Sequence, residues 1–309
     1  MPDGGTLMSR LVKLGTLFVA AFLLAASTRA ELIDPNSPEG YVKLNRKVQC
    51  SLNDGEETVF RWTGRLYSKV FGEPDRLLFN VEGMNVRACL TVTDPEMGKG
   101  YRMVSREIML YLDPETNEIL DTWENPWTGQ TNEVIHVHND PVNSRGASFG
   151  YNRDGSPKKF EHININGTYM LNMEIPLFYH NPMGGNYQKY IGGTYHATEI
   201  FDFNGSLDTL LDASRDIEYP VVSWVRMSKW LPWMEMGDRI GLLWVNAMGK
   251  KLDSYEQLPD VLKDTIAERF PEYQHAPPLD DTRRNETTWT KTKLILDSRK
   301  QTEPKAGGH

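Results

Sequence analysis

The run YRMVSREIMLYL, residues 101–112, followed by DPETNE, residues 113–118, decides the fold class. β-Branched and aromatic side chains fill the run, Asp113-Pro114 opens a turn, and Asn117 can adopt the left-handed conformation that tight turns need. Residues 118–124, EILDTWE, read as the returning arm of a hairpin. Inside the run, Arg106 and Glu107 are a charged pair among apolar neighbours. Adjacent strand residues face opposite sides, so the two cannot both point inward.

Outward from this hairpin the strand pattern repeats. ETVFRWTGRLYSKVF, residues 57–71, alternates, with Phe60, Trp62 and Gly64 on one side and Val59, Arg61 and Thr63 on the other. DRLLFNVEGMNVRACLTV, residues 75–92, is strand-rich, with Gly83 expected as a bulge or turn. NEVIHVHN, residues 132–139, is a further strand, and residues 158–175 read as two arms around Asn166-Gly167. Four glycines between His180 and Thr194 predict a long mobile loop. YHATEIFDF, residues 195–203, returns to strand and ends at a turn on Asn204-Gly205; LDTLLDASRD, residues 207–216, suits a short helix. VVSWVRMSKW and DRIGLLWVNAMG form a strand pair around LPWMEMG. LPDVLKDTIAERF, residues 258–270, is an amphipathic helix: Pro259 sits near its first turn, Val261, Leu262, Thr265 and Ile266 share a face, and Pro271 ends it.

Many strands, short turns and one late amphipathic helix give a mostly β protein, an antiparallel barrel-like or sandwich domain. The barrel is favoured because polar residues fall among apolar ones on both faces of several strands, as a lumen requires. There is no alternation of strand and helix and no GxSxG or GxGxxG, which disfavours Rossmann and α/β-hydrolase folds.

The ends are different in character. Arg10 and Lys13 precede the apolar run Leu14–Ala26, and small residues follow at Thr28 and Ala30. That is the pattern of a secretory signal peptide over residues 1–30, with a run shorter than the ~20 residues a bilayer core needs. Residues 31–277 are expected as a single β-rich domain and 278–309 as an extended polar tail. Export to a periplasmic or extracellular compartment suits the two cysteines, Cys50 and Cys89, which can pair there or remain separate thiols. Net charge is −8 with no basic block, so a nucleic-acid partner is not expected. After signal cleavage no stable membrane insertion is expected either.

The chemistry candidates cluster at TWENPWTGQTNEVIHVHND, residues 122–140. On a strand Val134, His136, His138 and Asp140 share one face. If that face looks into a lumen, His136 or His138 can act as a base with Asp140 as its orienter. A transition metal is the second possibility, held by His136, His138 and a third ligand such as His196, although no HExxH or cupin-type acid follows the pair. The third reading makes these histidines structural, and no cofactor is required by any motif. Trp123 and Trp127 bracket Pro126, while Trp224, Trp230 and Trp233 crowd a second region in which Arg226 shares a strand face with Trp224. Indoles grip flat apolar ligands, but they also fill cores. The expectation is an exported protein that binds a small apolar or aromatic molecule, as an acid–base enzyme or as a non-catalytic carrier.

The runs RLLFNVEGMNVRACLTV, TWENPWTGQTNEVIHVHNDPVN, SWVRMSKWLPWMEMGDRIGLLW and LPDVLKDTIAERFPEYQHAP resemble an uncharacterised domain-of-unknown-function family, DUF1838, over about residues 45–277. The resemblance implies one domain across that span. It carries no activity and no catalytic residues.

Overall fold

The structure is a computed structural model that describes residues 31–144, 146–180 and 194–302. Residues 1–30, where a signal peptide is expected, residues 181–193, within the span expected to be a mobile loop, and residues 303–309 lie outside the described residues. A helix, α1 (Pro38–Gln49), comes first and is capped by Ser37, whose Oγ accepts the Gly40 N–H at 2.9 Å. Three long strands follow: β1 (Thr58–Lys69), β2 (Arg76–Asp94) and β3 (Gly98–Leu112). Short strands β4 (Thr122–Glu124), β5 (Thr131–Glu133), β6 (Val137–Asn139), β7 (Ser148–Phe149) and β8 (Ile163–Ile165) lead to β9 (Thr168–His180) and β10 (Thr194–Ser206). After α2 (Leu207–Leu211) come β11 (Val221–Ser228), β12 (Leu242–Leu252), α3 (Asp260–Arg269) and α4 (Thr288–Thr302).

The fold is mostly β, as the alternation indicated. Its main sheet is antiparallel, ten-stranded, and runs β6-β3-β2-β1-β12-β11-β10-β9-β8, with β7 added to β3. The hairpin around Asn166-Gly167 forms as expected, with positive φ at both residues, and β11 pairs β12. The hairpin after residue 112 forms at its base and goes no further: Asn117 takes φ 61°, the Asp113 N–H donates to the Glu118 carbonyl at 2.8 Å and the Leu120 N–H to the Tyr111 carbonyl at 3.2 Å, around the Leu112–Ile119 bridge. Strand β4 then pairs with β5, because β6 occupies the edge of β3 at Glu107, Ile108 and Met109. Nor is Asn204-Gly205 a turn. It lies inside β10, where a Cβ on Gly205 would come within 2.8 Å of the Tyr169 ring, so the glycine serves close packing.

Side-chain parity divides the sheet into two faces. The outer face carries Val59, Met84, Val86, Ile108, Leu110 and Leu252, which pack beneath Leu262 and Ile266 of α3. Full burial of each of those two helix side chains stabilises the fold by roughly 1.5–3 kcal/mol. The inner face curls on itself. Phe60 of β1 and Phe203 of β10 stand three strand spacings apart, ~14 Å in a flat sheet, yet their rings meet edge-on at 6.4 Å. Among the described residues β6 and β8 end the ladder without pairing with each other, so the curl stays open rather than closing into a barrel.

Each end of the curl is filled. At one end α1 brings Leu44 and Val48 against Phe60, Phe203 and Val222. The buried Lys47 donates to the Leu210 carbonyl at 2.6 Å, and Lys251 donates to the Lys47 and Cys50 carbonyls at 2.8 and 2.9 Å. At the other end Trp230, Trp233 and Met234 pack on Leu66, Phe79 and Tyr111. Cys50 and Cys89 form a disulfide that ties the C-cap of α1 to β2 across 39 residues. Closing that loop stabilises the fold by about 4 kcal/mol in the chain-entropy model.

The expected extended tail is instead docked. Arg102 donates to the Asp281 carbonyl at 2.9 Å, and α4 buries Trp289 and Thr292. Two buried side chains one turn apart give this Lys/Thr-rich segment an anchoring face that its composition hides.

Candidate functional site

The inner face between the two end fillings is polar, and its residues come from strands far apart in sequence. Glu107 lies opposite Asn85 on β2 and opposite Asn139 on β6. Arg87 is one inner-face position further along β2, and Arg226 on β11 faces Glu199 on β10. Trp62 lies opposite Gly83; a Cβ there would come 2.5 Å from the indole nitrogen, so glycine lets the ring lie across β2. Trp224 meets Trp62 edge-on at 6.2 Å and stacks on Phe201 at 6.1 Å.

Few of these polar groups are satisfied by one another. Arg226 Nη1 donates to Glu199 Oε1 at 3.2 Å. The Arg87 Nε donates to Asn85 Oδ1 at 2.6 Å, and its guanidinium lies 4.4 Å from the Phe60 ring centre. Its Nη atoms have no hydrogen-bond partner among the described residues. The Glu107 carboxyl has neither a hydrogen bond nor an ion pair among the described residues. The Trp62 and Trp224 indole N–H groups and Asn139 Oδ1 are buried and have no hydrogen-bond partner among the described residues. Native interiors rarely leave so many polar atoms without partners in one place.

Titration behaviour follows from this arrangement. Desolvation pushes the Glu107 carboxyl up to about 7, with the Glu199 charge adding to the rise and Arg226 and Arg87 opposing it. Burial lowers the Arg87 guanidinium to about 10, against the pull of Glu107. Both side chains are half-buried, as are Trp62 and Trp224.

The histidine strand lies elsewhere, which corrects the inward orientation expected for it. His138 pairs with Ile108 on the outer side and stacks on Phe270, 4.7 Å between ring centres. Its Nδ1 is 3.0 Å from the His136 carbonyl. The His136 Nδ1 accepts the Tyr111 backbone N–H at 3.1 Å; desolvation, with Arg269 and His138 nearby, lowers its pKa to about 4. Asp140 is held by Arg283 at 2.7 Å and Arg106 at 3.1 Å, not by a histidine. His196 is exposed on the outer side of β10, so the metal set His136, His138 and His196 is not assembled. Among the described residues no three His, Cys, Asp or Glu side chains converge on a metal position.

The tryptophans divide in the same way. Trp224 and Arg226 face the interior, and Arg226 pairs with Glu199. Trp123 and Trp233 belong to the end filling, packed on Phe79 at 5.6 and 5.7 Å. Trp127 and Trp230 touch at 5.0 Å and line two hollows of about 510 and 430 Å³ outside the curl. Arg87, Asn85 and Trp62 went unsingled in the sequence. The signal was there as polar residues at every second position of otherwise apolar strands.

Fold and site together define a curled antiparallel β protein with a charged, indole-walled interior. The chain belongs to the family described as "Protein of unknown function (DUF1838)", whose model matches residues 55–295 and so reaches into α4. No curated protein and no solved structure matches it.

Proposed function

We propose that this chain binds a small molecule on the inner face of the curled sheet and performs acid–base chemistry on it, with Glu107 moving the proton. One observation carries the reading: Glu107 is a deep carboxyl without an internal partner, pushed up to about 7 by desolvation and Glu199. Such a group is half ionised in neutral water and can both take and give a proton, as a general base and acid must. Trp62, Trp224 and Phe201 form the apolar walls for a flat substrate. In this reading His136, His138 and Asp140 hold the outer layer in place. A histidine lowered to about 4 is neutral at pH 7 and a weak base.

The protein is read as exported. The Cys50–Cys89 disulfide supports this, because such bonds persist in oxidising compartments. No described helix is long and apolar enough to cross a membrane.

The test uses a panel of small aromatic esters, carbonyl compounds and hydroxy acids, with binding followed by tryptophan fluorescence and products by chromatography. Glu107→Gln is expected to keep binding and to lose turnover by roughly 10²–10⁴-fold. Unchanged turnover in that variant would sink the assignment. Ligands that bind the wild type and are never converted would make the protein a carrier.

A further inference from the structure

We infer that the molecule held on the inner face is an apolar or aromatic carboxylic acid, bound as its anion by the free end of Arg87 and the indole N–H of Trp62. This rests on the reading of that face as the binding site and goes further, to the chemical class of the ligand.

The charges of the interior do not balance locally. Arg226 is committed to Glu199 at 3.2 Å, and the Lys251 amine to two backbone carbonyls. Arg87 is different. Its Nε is fixed by Asn85 and its plane by Phe60, which leaves the Nη edge oriented and unpaired. A planar guanidinium with one edge free matches the two oxygens of a carboxylate. Beside it the nitrogen edge of Trp62 lies over Gly83, next to Asn85 on the same face, as a buried donor with no acceptor. Every unpartnered donor here asks for an acceptor, and Trp62 and Trp224 supply apolar surface for the body behind it.

Glu107 then makes binding pH-dependent. The charged groups facing it are Glu199 on β10, Arg226 on β11 and Arg87 on β2, with the uncharged Asn139 beside it on β6. A carboxylate on Arg87 would repel ionised Glu107. The anion therefore binds best while Glu107 holds its proton, and affinity falls as pH rises through about 7.

The experiment is calorimetric titration of the full chain with matched pairs at pH 6: phenylacetate against phenylacetamide, and cinnamate against cinnamamide. The acids are expected to bind at least about tenfold tighter than the amides. Arg87→Gln abolishes that preference, and Trp62→Phe, which keeps the ring and loses the donor, weakens the acids several-fold and the amides little. Between pH 7 and 8 acid affinity drops towards tenfold per pH unit in wild type and stays level in Glu107→Gln. If Arg87→Gln does not fold, Trp62→Phe and the pH series decide. Acids no tighter than amides, no acid binding at millimolar concentration, or an intact preference in Arg87→Gln overturns the inference. None of these readouts needs turnover, so they separate from the acid–base claim: that claim can fail in Glu107→Gln while the acid preference stands.

Discussion

Arg106 and Glu107 are neighbours on β3, and the contrast between them organises the molecule. Arg106 points out among a carboxylate and several backbone carbonyls. Its Nε stands 3.1 Å from Asp140 as an ion pair, and its Nη1 donates to the Glu272 and His275 carbonyls at 2.9 and 3.0 Å. Glu107 points in, where no described group bonds it. Both are charges among apolar strands, and the sequence makes them look alike. The outer charge is spent on holding residues 271–286 over the sheet; the inner charge is left open, and open buried charges are what ligands and chemistry use.

Three changes sharpen or break this contrast. The largest effect should come from the outer side: Arg106→Met leaves Asp140 with Arg283 alone and strips the carbonyls of residues 272 and 275 of their donor. It should cost about 4 kcal/mol in urea unfolding, with turnover per folded molecule unchanged. A loss of turnover without a loss of stability would reverse the two roles.

The next effect is the pH dependence of stability. Glu107 has an ordinary carboxyl pKa near 4.5 in the unfolded chain and about 7 in the folded one. The folded state therefore holds that proton more tightly. Its stabilising contribution is complete below pH 4.5 and is lost as pH rises through 7, amounting to about 3 kcal/mol. Glu107→Gln should remove this slope. An identical slope in both proteins would place the titration on another group.

The smallest effect belongs to the histidine strand. His138→Gln removes the stack on Phe270 and the contact with the His136 carbonyl. Unfolding should become easier by about 1 kcal/mol, and turnover should stay within twofold. A hundredfold loss of turnover would return the chemistry to His138.

Sequence legibility followed the same division. Alternation told correctly which residues of β1 share a face and that Trp224 and Arg226 of β11 do, and Asn166-Gly167 and Pro259–Pro271 marked a hairpin and a helix through local backbone chemistry. Which face is inside was not local. It depends on β6 joining β3 at Glu107–Met109, a pairing across roughly 30 residues, and on the curl of the whole sheet between β3 and β10. The histidines at 136 and 138 drew attention because alternate imidazoles are rare. Arg87 and Glu107 sat in long strands with no motif around them, and only the register brings them together. Likewise Asn204-Gly205 has turn chemistry, but Tyr169 and Glu218 fill the space above Gly205 and the strand continues through it.

The most direct test is a ¹³C NMR titration of carboxyl-labelled glutamates, with the Glu107 resonance assigned by its absence in Glu107→Gln. A midpoint near 7, moving down when Glu199→Gln removes the facing charge, is the expected result. A midpoint near the ordinary 4.5, indifferent to Glu199, would mean that this carboxyl is a solvated side chain and that the inner face has no proton to give.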